Sequence, residues 1–213
     1  MRKPVIGITM GDPASIGPEL SIRALADPKL YEECSPVIVG DKSMIERAMR
    51  IPGMPQLKLH CVSSVADCLF EPGTMDLLDM DLCTEDTVPV GQISKVAGDA
   101  AFQYVKKVIE LAMAGDVDAT VTNALNKEAM NLAGHHFAGH TEIYAHYTGT
   151  DHYTMMLAHE NIRIVHVSTH VSLREACDRC KKARVLECIR IANKACKDMG
   201  IEHPRVGVAG LNP

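Results

Sequence analysis

Along the chain, short β-branched apolar runs alternate with longer stretches whose apolar positions recur at helical spacing. Val5-Ile6-Gly7-Ile8-Thr9 predicts a first strand and Pro36 to Gly40 a second. Leu57 to Val62, Met75 to Asp79, Val117 to Thr122, Met155 to Ala158, Ile162 to Ser168 and Val206 to Ala209 predict further strands. Between them, Pro18 with Glu19 marks a helix start. Asp41 stands as N-cap of a helix running to about Arg50. Val105, Val108, Ile109 and Ala112 share one face of a helix from Ser94 to Ala114, which Gly115 stops. A helix from Thr141 to about Tyr147 follows, and a long helix with room for a break covers Leu173 to Met199 and ends at Gly200. Alternating strands and helices predict an α/β fold: a mostly parallel sheet between helices, in three layers. No repeat and no linker divides the sequence; Met80 to Gly91, acidic and carrying Pro89, reads as an exposed connection.

Composition adds exclusions. The formal net charge is -5 and no basic run tracks a phosphate backbone, which argues against nucleic acid as a partner. No apolar run approaches the roughly 20 residues that span a bilayer, which argues against a membrane role. The start, Met1-Arg2-Lys3-Pro4, has no signal-peptide core, so the expected location is the cytoplasm. There the eight cysteines are expected as free thiols. Cys177 and Cys180 form a CxxC pair, but inside a helical run and without a second pair, so plain helix packing is the expectation.

Four segments could carry chemistry. Gly11-Asp12-Pro13-Ala14-Ser15-Ile16-Gly17-Pro18-Glu19 follows a strand and opens a helix, where glycines admit a ligand to the backbone and the helix N-terminus attracts anions. A plain strand-to-helix turn accounts for the same residues, and neither a P-loop nor GxGxxG is present. Thr122 to Lys127 also follows a strand; it could hold a phosphate or carboxylate, or be a capped turn with a solvated lysine. In Gly134 to Glu142, His136 and His140 have helical metal-pair spacing, but Gly134 and Gly139 argue for a loop. His140 and Thr141 then sit at a helix start, suited to an anionic substrate, while His135 and His136 read as surface loop residues. Finally, His166 and His170 would lie about 13 Å apart on one strand, too far to share a metal. His166 then reads as a core residue and His170 as a residue at the strand's carboxyl end.

Taken in order, these segments resemble the 4-hydroxythreonine-4-phosphate dehydrogenase family over the whole chain. The residues that carry the likeness are Gly11 to Glu19, Asn126-Lys127, Ala133-Gly134-His135 and Gly139-His140-Thr141-Glu142. Met155-Met156-Leu157, Ser168 to Arg174 and Gly210-Leu211-Asn212-Pro213 complete it. The segment around His166 to His170 and the Asn-Lys pair lean toward the branch acting on D-threonate 4-phosphate and D-erythronate 4-phosphate, over the vitamin B6 enzyme.

The resemblance implies two-domain subunits that form a homodimer, with the site in the interdomain cleft and metal ligands from both subunits. It implies that His140 and Thr141 contact a small phosphorylated substrate and that His170 binds a divalent metal cation; no catalytic residue is assigned. NAD would take hydride from the C3 hydroxyl, and the β-keto acid would lose carbon dioxide, D-threonate 4-phosphate giving dihydroxyacetone phosphate. His140, Thr141 and His170 are expected to converge on one cleft. In the family a metal-ligating histidine follows Gly-Leu-Asn-Pro, and a third ligand and further substrate contacts lie beyond it. Residues 1–213 are therefore expected to be the N-terminal part of such an enzyme, ending before the C-terminal third. The competing expectations are an incomplete fragment that holds metal weakly and does not turn over, and a phosphate-binding α/β protein without redox chemistry. Ser15 stands where the family usually has glycine, which puts the geometry of that loop in question.

Overall fold

β1 (Val5–Thr9), β2 (Ser35–Gly40), β3 (Lys58–Val62), β4 (Thr74–Asp79) and β5 (Ala119–Thr122) pair into one parallel sheet in the order β3-β4-β2-β1-β5. The inner strands are buried on both faces: Val37, Ile38 and Val39 of β2 and Met75, Leu77 and Leu78 of β4 are all buried. That is the pattern of a sheet covered by helices on both sides. The structure is a computed structural model in which residues 2–210 are described, and it forms two units, residues 1–148 and 149–213.

In the first unit, α1 (Gly17–Leu25), a short α2 (Leu30–Glu33) and α3 (Lys42–Met49) accompany the steps from β1 outward to β3, while α4 (Lys95–Ala114) carries the chain back across the sheet to β5. Right-handed crossovers put α1 and α3 on one face and α4 on the other, which completes the three layers.

α4 is buried on two sides. Ala97, Ala100, Tyr104, Val108 and Leu111 join the main core. Phe102, Val105 and Ile109 form a second cluster with Met130 of α5 (Lys127–Leu132) and Ile143 of α6 (His140–Thr148). Helices of 6 and 9 residues are too short to stand alone in water. Burial on α4, at roughly 1.5–3 kcal/mol for each large side chain, therefore holds them. Ala112, expected on the buried face, is exposed, because Leu111 takes the inward position. Ser94 caps α4 and Gly115, at φ 81°, ends it as expected.

Asp41 corrects the sequence reading. It occupies the N-cap of α3 but its side chain makes no capping bond. Its carboxylate turns inward and accepts from Leu82 N–H (3.0 Å), Cys83 N–H (2.9 Å), Cys83 Sγ (3.0 Å) and Tyr104 Oη (2.5 Å). Lys42 N–H is taken by Asp79 instead.

The second unit holds an antiparallel hairpin of β6 (Met156–His159) and β7 (Ile162–Val165), then α7 (Leu173–Arg179) and α8 (Lys182–Asp198). β7 stops at Val165, short of the expected Ser168, and the long helix breaks at Cys180–Lys181. Val206 to Ala209 forms no strand: its composition suits one, but no ladder partner pairs with it among the described residues. α7 buries no residue and α8 buries only Cys188 and Ala192. A cavity of about 510 Å³ lies beside α8, lined by Val165, Cys188, Ala192 and Val206 among others. With so little buried apolar surface, the α8 amides are expected to exchange with solvent at least tenfold faster than those of α4. Hydrogen–deuterium exchange checks this, and equal protection would show that α8 is held by contacts beyond those described. No helix among the described residues is long and apolar enough to cross a membrane.

Candidate functional site at the ends of the first and fifth strands

β1 and β5 are neighbours, yet the chain leaves β1 toward one face of the sheet and β5 toward the other. Such a switch point is where open α/β sheets bind ligands. The loop after β1 and the segment after β5 meet there. Asp12 N–H donates to the Ala124 carbonyl (2.9 Å), and its buried carboxylate accepts from Ala14 N–H (2.8 Å) with the Asn126 backbone nearby. Burial raises the Asp12 pKa, against the lowering by those two backbone groups. The loop requires its glycines. Gly11 has φ 80°, and a Cβ there would lie 2.7 Å from the Ala124 carbonyl oxygen; one on Gly17 would lie 2.1 Å from that of Met10. Ser15 is exposed and is not in the left-handed region, so a side chain there is tolerated.

Asn123 ties the strand ends together. Its N–H donates to Thr9 Oγ1 (3.1 Å), and its Nδ2 donates to Ser21 Oγ (2.9 Å), Gly17 O (3.3 Å) and Met10 O (3.4 Å). Asn126 caps α5 through Ala129 N–H (3.0 Å), so the capped-turn reading of this segment holds, with Lys127 exposed in the first turn. α6 begins at His140, one residue earlier than expected, and the glycine-flanked stretch before it is loop.

The His140 imidazole lies beside the Asn123 backbone, and its Nε2 is buried without a partner. Burial lowers its pKa; the nearby Asn123 backbone opposes this and Lys127 adds to it. Gly139 lies between charges, since a Cβ there would be 3.7 Å from Glu142 Oε2 and 3.9 Å from Lys127 Cε. Thr141, half-buried, follows in the first turn of α6. Three of the four sequence segments thus form one constellation: a lysine ammonium, a helix N-terminus and a desolvated histidine, a donor set suited to an anionic ligand.

The fourth segment lies in the second unit. His166 follows the end of β7, half-buried, with its N–H donating to Met155 O (3.3 Å), so the separation argued from a continuous strand does not apply. His170 is exposed, five residues beyond the strand, with φ 56°. A left-handed backbone on a non-glycine residue costs about 1–3 kcal/mol. No group of three His, Cys, Asp or Glu side chains that could hold a metal occurs among the described residues.

Two further readings change. His135 is not a free surface histidine: its Nε2 pairs with Asp99 Oδ1 (2.7 Å) and its ring stacks on Phe102 with centroids 3.7 Å apart. Cys177 and Cys180 are exposed, not packed. All eight cysteines are free, and burial pushes the Cys68 thiol up to about 12. Sequence reasoning missed Asn123 and Ser21. An asparagine directly after a strand was the available signal, but its partners are 102 residues and more away in the chain.

The fold and site define an α/β protein whose candidate site lies at a topological switch point of the sheet. A family model described as "Pyridoxal phosphate biosynthetic protein PdxA" matches residues 32–213, and the chain belongs to that family. It is 41% identical over 210 residues to a D-threonate 4-phosphate dehydrogenase of Cupriavidus necator, covering 99% of this chain and 62% of that one. A 4-hydroxythreonine-4-phosphate dehydrogenase structure from Burkholderia phymatum is similar with a TM-score of 0.88 and 42% identity, covering 100% of this chain and 64% of that one. One from Klebsiella pneumoniae gives a TM-score of 0.91 at 37% identity, over 99% of this chain and 63% of that one. The chain thus spans between 62% and 64% of the length of these relatives.

Proposed function

We propose that the protein is a dehydrogenase that uses NAD and a divalent cation to oxidise a four-carbon 4-phosphate acid, D-threonate 4-phosphate or D-erythronate 4-phosphate. The observation that carries this is the His140–Lys127 constellation at the β1/β5 switch point, in a chain whose relative bears the D-threonate 4-phosphate name. His140 and Thr141 contact the substrate, and Lys127 offers an ammonium to its phosphate or carboxylate. Oxidation moves hydride from C3 to NAD and releases the hydroxyl proton. The resulting ketone is β to the carboxylate, so the C1–C2 bond breaks with its electron pair left at C2. Carbon dioxide departs and protonation at C2 gives dihydroxyacetone phosphate.

When bound, NAD supplies the hydride acceptor and the cation a Lewis acid. His170 is the residue of this chain that the family reading gives to the cation. A catalytic site usually takes three protein ligands, and the described residues do not gather three, so no step is routed through the ion. The same reading makes the protein a homodimer acting in the cytoplasm on a small molecule, with no role for nucleic acid or membrane. Oxidation of 4-hydroxythreonine 4-phosphate is the second reading, favoured by the names of the solved structures.

The test is NADH formation with all three substrates, measured on this chain and on this chain fused to the remaining C-terminal part of the Cupriavidus necator relative. Formation from a sugar-acid phosphate, lost with a chelator and restored by a divalent metal, is expected in the fusion. Activity with 4-hydroxythreonine 4-phosphate alone would select the second reading, and activity unchanged by complete metal removal would overturn the metal requirement.

A further inference from the structure

We propose that Cys177 and Cys180, the exposed pair at the end of α7, are a redox-active dithiol that closes to an intramolecular disulfide by exchange with a low-molecular-weight disulfide such as oxidised glutathione. The pair belongs to the second unit, and the proposal rests on neither the dehydrogenase reading nor a bound metal.

Both cysteines are exposed and unbridged, so a reagent reaches either one. Helical spacing sets the distance between them. Cys180 N–H donates to Ala176 O (3.1 Å) and Cys177 O (3.2 Å), which keeps its Cα on the helical path, one turn from that of Cys177. From the rise and radius of an α-helix, Cα atoms three residues apart lie about 5 Å from each other, inside the roughly 4.4–6.8 Å that a disulfide spans. The side chains need more adjustment. Cβ atoms at that spacing are about 5–6 Å apart, and a bridge brings them to about 3.5–4.5 Å.

The end of α7 can give that movement. The helix buries no residue, so no core packing resists a shift. Local contacts hold it: the Ser172 cap on Glu175 N–H (3.3 Å) and the Glu175–Arg179 pair (2.6 Å), neither of which uses a cysteine side chain. Cys180 is the C-cap, where the helical path ends. With φ -75° and ψ 69° it centres an inverse γ-turn, closed by Lys181 N–H on Arg179 O (2.8 Å). α8 starts afresh at Lys182, so the adjustment stops at the break. A bridge that must draw the backbone in is readily reduced, which makes it a reversible modification and not a permanent staple.

The chemistry balances in two exchanges. One cysteine thiolate attacks a sulfur of oxidised glutathione; a mixed disulfide forms and the first glutathione thiolate leaves. The second cysteine gives its proton to solvent and attacks the protein sulfur of the mixed disulfide. The Cys177–Cys180 bond forms and the second glutathione leaves. The two protein thiols lose two electrons, which the glutathione disulfide takes up. The advantage of the pair lies in the second exchange, because a thiol one turn away is an intramolecular reactant at high effective concentration. Cys61 is exposed too, but it stands on β3 and its nearest cysteine in the sequence is Cys68, so it lacks a partner within one helical turn.

The experiment is incubation of the full chain with oxidised glutathione under native conditions, followed by alkylation of the remaining thiols, trypsin and mass spectrometry without reductant. Arg179 lies between the two cysteines, so trypsin cuts inside the pair and the two pieces stay joined only through sulfur. The joined peptide is expected to be at least about tenfold more abundant than any glutathione adduct at Cys177 or Cys180, while Cys61 collects the adduct. Added reductant should return both thiols. Cys177→Ser and Cys180→Ser, both at exposed positions that the fold does not need, should each accumulate glutathione on the remaining cysteine. Glutathione adducts in excess of the joined peptide in the wild-type chain would overturn the proposal. So would a pair that stays open to alkylation throughout, or a bridge from either cysteine to Cys188 or Cys196 in its place.

Discussion

Asp41→Ala is expected to destabilise the first unit by about 3–5 kcal/mol. The carboxylate is 1% exposed and accepts from two backbone N–H groups, a thiol and a phenol. Removing it strands the buried Cys83 N–H and Tyr104 hydroxyl, each orphan costing about 1–3 kcal/mol, and the Leu82 N–H loses its partner as well. Burial pushes the Cys83 and Tyr104 pKa values well above their ordinary ranges, so both remain donors throughout the pH range of ordinary measurements. Tyr104→Phe alone leaves the carboxylate its other donors and should cost less, about 1–2 kcal/mol. The double variant should cost less than the sum, because the phenol no longer needs a partner. Urea unfolding of the three variants decides the matter. A loss under 1 kcal/mol in Asp41→Ala would show that solvent enters and satisfies the stranded groups.

What the sequence made legible follows from how local each signal is. β1 is legible to the residue, since a short β-branched run starting directly after Pro4 needs no distant information. α4 is placed within a residue by its one-faced apolar pattern and the Gly115 stop. The strand order could not be read, because it depends on which way each crossover steps. Asp41 looked like a cap because an aspartate before a helix has that local use; its real partners lie 41 and 63 residues further along the chain. His135 was set aside for the same reason, since Phe102 and Asp99 come to it only once α4 is in place. Among the site residues, His140 is legible through the motif around it, while Asn123, which ties β5 to β1 and α1, reads locally only as part of a turn. The strand expected at Val206 to Ala209 shows the opposite error: a good local pattern forms no strand without a ladder partner. Leu211, Asn212 and Pro213 of the Gly-Leu-Asn-Pro motif lie outside the described residues.

His140→Asn is expected to lower kcat/KM for the sugar-acid phosphate on the order of a hundredfold while leaving the fold intact. Asparagine at this position is shorter than histidine and has no acceptor where the buried Nε2 stands. His140→Gln can reach that place with its amide oxygen and should retain more substrate affinity. The wild-type site should also weaken as pH falls, and the sign can be worked out. The folded-state pKa of His140 is lowered from the ordinary 6.5, by burial first. Above 6.5 the ring is neutral in both folded and unfolded chains, and its contribution to stability is constant. As pH drops below 6.5 the unfolded chain takes up the proton before the folded one does, so this contribution is lost until the lowered folded pKa is passed. Lower still, as pH passes through the lowered folded pKa, the folded ring itself takes up a proton, and affinity for a hydroxyl donor falls with it. Urea midpoints and substrate affinities measured above and below 6.5 should both decline for the wild-type protein, and both should decline less in His140→Gln, which has no imidazole to protonate. A His140→Gln variant that keeps the full wild-type pH dependence would place the titrating group elsewhere and remove His140 from the binding step.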